Sequence, residues 1–167
     1  MNRNKLWYII GSDSMTKYRF WKELDRLVAS FPTSDLSITE KLIEFSVLLK
    51  HAYDDSLSVV IKCELDPLRP GMAHHLFVPT EMGRLYMFYT SMKAARSSNS
   101  PEEYCEASVR DIMNNIFNRE ETAAIAFDNG NDSVVIPMEC LRMIFSGDMP
   151  KPDEFVPSRL GGWRPFE

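Results

Sequence analysis

The chain has 167 residues, 44% hydrophobic and 26% charged, a balance that excludes intrinsic disorder and suits one domain with a real core. A net charge of -5, with no Lys/Arg cluster to offset it, argues against nucleic acid as a partner. Three widely spaced cysteines, Cys63, Cys105 and Cys140, exclude a disulfide framework and a zinc site; they read as buried free thiols of a reducing, cytoplasmic compartment.

The first apolar run, Leu6 to Ile10, is open between strand and helix. It is too short for the roughly 7–15-residue core of an export signal. Nothing approaches the ~20 apolar residues of a membrane span, so a soluble protein without a membrane partner is expected. Phe20, Trp21, Leu24, Leu27, Val28 and Phe31 repeat at helical spacing and predict a helix over about 15–31, with Ser14 as its cap and Pro32 as its stop. Ser37 and Glu40 have capping-box spacing and open a second helix. The wide stripe of that helix, from Ile38 through Leu42, Phe45 and Leu49 to Ala52, implies burial on more than one side.

From Leu57 the period becomes two. Leu57, Val59, Ile61 and Cys63 alternate with Ser58, Val60, Lys62 and Glu64 as a strand, which the Asp66–Gly71 loop ends. Strands at about 74–79 and 84–90 follow, joined by a turn containing Gly83. Ser91 caps a short helix over Met92–Arg96, Ser97–Pro101 forms an exposed loop, and Tyr104–Ala107 reads as a brief strand. Val109, Ile112, Met113, Ile116 and Phe117 form a helical face behind Ser108. Strands at 122–127 and 133–136 flank the turn Asp128–Asp132, and Pro137 and Gly147 bound a last helix. Beyond it, a Pro/Gly-rich tail over 148–167 breaks the pattern.

Candidate chemistry is sparse. His74-His75 stand at the start of a strand, where neighbouring side chains point to opposite faces and cannot easily share a metal. His51, near a helix end, is structural. Ser91 follows a strand and precedes a helix but lacks the flanking glycines of a nucleophile elbow, so capping explains it more simply. His74, His75 and Ser91 are therefore retained as a possible polar site, with no catalytic residue assigned. No phosphate-binding glycine motif is present, the acidic Asp128–Asp132 segment repels phosphate, and it lacks the length of a calcium loop. In the tail, Trp163, Arg164 and Phe166 are residue types enriched at binding hot spots, offering a partner-binding patch or a segment that docks on its own domain.

Residues 75–146 carry a family likeness in Phe77-Val78-Pro79, in Gly83-Arg84-Leu85-Tyr86-Met87-Phe88-Tyr89-Thr90-Ser91 and in Ala94-Ala95. This stretch resembles the SseB N-terminal domain, although Asp128-Asn129-Gly130 replaces the family's Asn-Pro type of turn. The resemblance implies structure more than activity and carries no catalytic residues. The expected fold is mixed α/β, a central mixed sheet of about five strands with two N-terminal helices and further helices packed on it. One domain over 1–147 is expected, helical to residue 55 and SseB-like from 56. The function expected is a non-enzymatic protein- or peptide-interaction domain without cofactor or metal. The alternative, implied by the family's name, is a small-molecule-binding regulatory module linked to amino-acid metabolism.

Overall fold

The computed structural model describes residues 16–97 and 103–151. The first two helices follow the expected apolar periodicity. Helix α1 (Lys17–Ser30) turns Phe20, Leu24, Leu27 and Val28 inward. Its cap is Thr16, whose hydroxyl oxygen accepts from the Arg19 N–H at 3.2 Å. The expected cap, Ser14, lies outside the described residues. Helix α2 (Ile38–Asp54) begins at Ser37, whose hydroxyl accepts from the Glu40 N–H at 3.2 Å. Its wide stripe is buried on several sides because α2 packs against α1 and two later helices.

Seven strands form one mixed sheet among the described residues: β1 (Ser58–Leu65), β2 (Ala73–His75), β3 (Phe77–Thr80), β4 (Gly83–Tyr89), β5 (Glu103–Ser108), β6 (Thr122–Asp128) and β7 (Ser133–Pro137). The sheet thus exceeds the expected five or so strands. The segment anticipated as one strand over 74–79 is divided at Leu76: His75 and its predecessors pair with β1, whereas Phe77 onward pairs with β4. The cause is tertiary. β1 and β4 pair directly through Val60↔Tyr89 and Ile61↔Phe88 and then diverge, and residues 73–80 run into the gap and back out. β5 lies along the other edge of β1, and β6 runs parallel to β4 before turning antiparallel into β7.

The parallel pair β4/β6 requires a long crossover. After β4 comes α3 (Met92–Arg96), capped by Ser91 as expected, with its hydroxyl accepting from the Ala94 N–H at 3.0 Å. The chain then forms β5 at the sheet's flank and α4 (Val109–Phe117) behind Ser108, before entering β6. Alternation places α3 and α4 on opposite faces. Ala95 of α3 packs with Val60 and Tyr89, while Val109, Ile112, Met113 and Ile116 of α4 join Val59, Ile61, Phe88 and Phe127 in the main core. The last helix, α5 (Met138–Phe145), starts directly after β7 and ends at Gly147, where φ is +86°.

Aromatic rings run through the centre of this core. Phe45 of α2 stacks on Phe127 at 5.6 Å between centroids, and Phe127 meets Phe88 at 5.5 Å. Ser46 of α2 is also buried; its hydroxyl donates to the Leu42 carbonyl at 2.9 Å and lies 3.4 Å from the Cys140 sulfur. Cys63 and Cys140 are buried and Cys105 half-buried, all as free thiols. Among the described residues, no helix is long and apolar enough to cross a membrane.

Candidate functional site

The two histidines of β2 part as strand geometry requires. His74 opposes Glu64 and His75 opposes Cys63, on opposite faces of the sheet. His74 is exposed, with Nε2 3.1 Å from an Asp66 carboxylate oxygen. Asp66 also accepts from the Leu68 N–H at 2.9 Å, and this bond, more than His74, holds its carboxyl below the usual carboxylate range.

His75 occupies the point where β1 and β4 diverge. At Met87, β4 has left β3, paired to Tyr86, and has not yet met β1, paired from Phe88. The His75 imidazole fills this gap, with Nε2 3.1 Å from the Met87 carbonyl and its ring 4.9 Å from Tyr86 and 5.4 Å from Phe88. A carbonyl can only accept, so Nε2 carries the hydrogen. Burial against two aromatic rings lowers the imidazole to a pKa of about 4 despite the opposing effect of the Met87 bond. At neutral pH it is an uncharged spacer that satisfies a strand carbonyl.

The sheet end below this wedge exposes several large apolar side chains among the charged residues Glu64, Arg69 and Glu81. The β1–β2 connection is a tightly bonded turn: Asp66 N–H donates to the Met72 carbonyl at 2.9 Å, and Met72 N–H to the Arg69 carbonyl at 3.1 Å. Across from it, the β3–β4 turn is closed by Thr80, whose hydroxyl donates to the Gly83 carbonyl at 2.6 Å. These turns and adjoining strand ends expose Leu65, Leu68, Met72, Phe77 and Met82, with Leu68 reaching 88% exposure. Tyr18 is the other large exposed hydrophobic side chain among the described residues. Beside the wedge, Lys62, Leu76, Phe77, Val78 and Met87 enclose a hollow of about 240 Å³.

The opposite end of β4 is polar. Where β4 and β6 finish, Trp21, Lys22 and Asp25 of α1, Thr90 and Ser91, Lys93 of α3 and the Asn129–Asn131 turn line a cleft of about 470 Å³. The crevice beyond the carboxyl ends of parallel strands is a recurrent ligand position because the connections leave there on different sides of the sheet. Thr90 is buried and its hydroxyl donates to an Asp25 carboxylate oxygen at 3.3 Å. Within the Asp128–Asp132 turn, Asp128 and Asn129 bond back to their own neighbours. Asp128 accepts from the Gly130 N–H at 2.6 Å and the Ser133 hydroxyl at 2.9 Å, and Asn129 accepts from the N–H groups of Asn131 and Asp132 at 2.9 and 2.7 Å.

The three polar residues singled out in the sequence thus fall in separate surroundings. Ser91 lines the polar cleft and caps α3, His74 pairs with Asp66, and His75 fills the wedge. His51 lies 3.3 Å from the Asp55 carboxylate at the end of α2. Burial, and secondarily a bond with Cys105, pushes the Cys63 thiol up to about 12, so it stays protonated at neutral pH and is a poor nucleophile. Among the described residues, no group of three or more His, Cys, Asp or Glu side chains could hold a metal ion. The tail patch of Trp163, Arg164 and Phe166 lies outside the described residues. No family model, curated protein or solved structure matches the chain.

Proposed function

We propose that the protein is a non-enzymatic interaction module that captures an apolar segment of a protein partner at the end of its sheet formed by the β1–β2 and β3–β4 turns. The exposure of Leu68, Met72 and Met82 on two firmly hydrogen-bonded turns, with Leu65 and Phe77 on the strands that adjoin them, carries this reading. Scattered exposed apolar residues need no explanation, but several at one end of a sheet resemble a docking patch. Two are methionines, whose flexible thioether side chains adapt to a partner's shape. The turns are already ordered by their own bonds, so docking does not have to fix their backbone. The SseB-like likeness of residues 75–146 is retained as a proposal, supported by the element order from β3 to α5.

The test is a photo-crosslinking side chain placed at Leu68 in the native cell, with the exposed Glu139 on α5 as the comparison site. A defined adduct with another protein is expected from position 68, absent from position 139 and lost when Met72→Glu is added. A cross-link to a second copy of this chain, or none at all, overturns the reading.

A further inference from the structure

We propose that the cleft at the carboxyl ends of β4 and β6 is a separate binding site for a small hydroxylated organic dicarboxylate. This site stands apart from the apolar end and would remain if no protein docked there. Its walls come from four parts of the chain: the middle of α1, the β4–α3 junction, α3 itself and the β6–β7 turn. α1 belongs to the main core and α3 to the small cluster on the other face, so the cleft lies between segments packed on the two faces of the sheet. Trp21 packs against both clusters and is anchored by its indole N–H, which donates to the Ser58 carbonyl at 3.0 Å.

The polar groups lining the cleft set the ligand class. Lys22 and Lys93 are exposed on its two sides, and neither has an ion-pair partner among the described residues. Two lysines bordering one hollow favour two carboxylates. Asp25, its carboxylate already held by Thr90, accepts hydrogen bonds and therefore suits a ligand hydroxyl. Asn129 spends its side-chain oxygen on the turn, which leaves its amide hydrogens as donors for a carboxylate oxygen. Asp25 in the wall and acidic residues in the adjoining turn disfavour a compact, highly charged oxyanion such as phosphate. A dicarboxylate carries comparable total charge but separates it into two groups along a longer body, so less of it is concentrated beside Asp25. At about 470 Å³ the cleft falls within the ~300–1,000 Å³ common for small-molecule sites.

The probes are malate, acetate and inorganic phosphate, titrated into the full chain by calorimetry and followed by backbone amide resonances. Malate is expected to bind saturably, to outbind acetate and phosphate, and to shift the amides of Thr90, Ser91 and Gly130. Lys22→Glu and Lys93→Glu should each weaken malate binding at least tenfold, whereas Arg69→Glu at the other end of the sheet leaves it unchanged. Should a charge-reversed variant fail to fold, the wild-type resonances decide: malate-induced shifts confined to residues outside the cleft overturn the proposal. Absence of saturable malate binding, tighter binding of phosphate, or undiminished binding in the folded variants also overturns it.

Discussion

The two ends of β4 carry opposite surfaces on the same strand. At its amino end, two short turns satisfy their backbone groups internally and present apolar side chains outward. At its carboxyl end, the chain leaves toward α3 while β6 leaves toward β7, and the gap between these connections is lined by lysines, an aspartate, hydroxyls and amides. An antiparallel reversal closes a strand end with bonds within one hairpin. A parallel pair leaves its ends unclosed by each other, and distant segments must line the space. The apolar end can therefore serve as a surface, and the polar end as a cavity.

Glycines at the two ends sharpen that contrast, and Gly83→Ala has the largest expected effect. Gly83 has φ of +127°, and an added Cβ would lie 2.6 Å from the Glu121 carbonyl oxygen and 3.0 Å from the Ala123 Cβ. The obstacle is mainly backbone, tied in place by the Arg84 N–H donating to the same Glu121 carbonyl at 2.7 Å. A loss of about 3–4 kcal/mol is expected, measurable by urea unfolding.

Acid should act next, through the wedge between the ends. With His75 lowered to about 4 when folded, the unfolded chain takes up its proton first, near pH 6.5. The folded state therefore holds its full His75 contribution above pH 6.5 and loses it progressively as pH falls toward 4. The expected loss is about 3 kcal/mol over that window, with His75→Phe flattening this part of the stability profile. An unchanged profile in that variant would place the acid sensitivity elsewhere.

A smaller effect is expected from Gly130→Ala at the polar end. Its φ is +95°, but the nearest obstacle to a Cβ is the Ser97 hydroxyl at 2.8 Å, a side chain that can rotate. The expected cost is about 1–2 kcal/mol, and adding Ser97→Ala should recover part of it in a double-mutant cycle. Smallest of all, Leu68→Ser should change unfolding stability by less than about 0.5 kcal/mol, since that side chain is exposed. A larger loss would show that the apolar turn supports the fold rather than presenting a surface.

Elements governed by nearby residues were legible. The Ser37, Ser91 and Ser108 caps, the stripe of α2 and the alternation of β1 all follow from neighbours within a few positions. The start of α1 was less so, because Ser14 and Thr16 are both competent caps two residues apart. The division at Leu76 was invisible for a different reason: residues 74–79 are a plausible continuous strand until β1 and β4 diverge around them. Gly83 was legible as a turn residue, but not the Glu121 carbonyl that crowds it.

The sites divide along the same line. Ser91 was recognisable as a cap from its position before a short helix, and the opposite facing of His74 and His75 followed from the strand period. That His75 meets Met87, or that Lys22, Lys93 and Asn129 share a cleft, depends on pairings across long stretches of chain. By itself the sequence determined where most helices begin, which residues face the core and where the chain turns, since caps, periodicity and turn chemistry act over a few residues. Tertiary structure decided that β1 and β4 would part, that a neutral histidine would fill their gap, and that one end of the sheet would be apolar and the other polar. Those outcomes arise from strand order and parallel pairing, which no local pattern encodes.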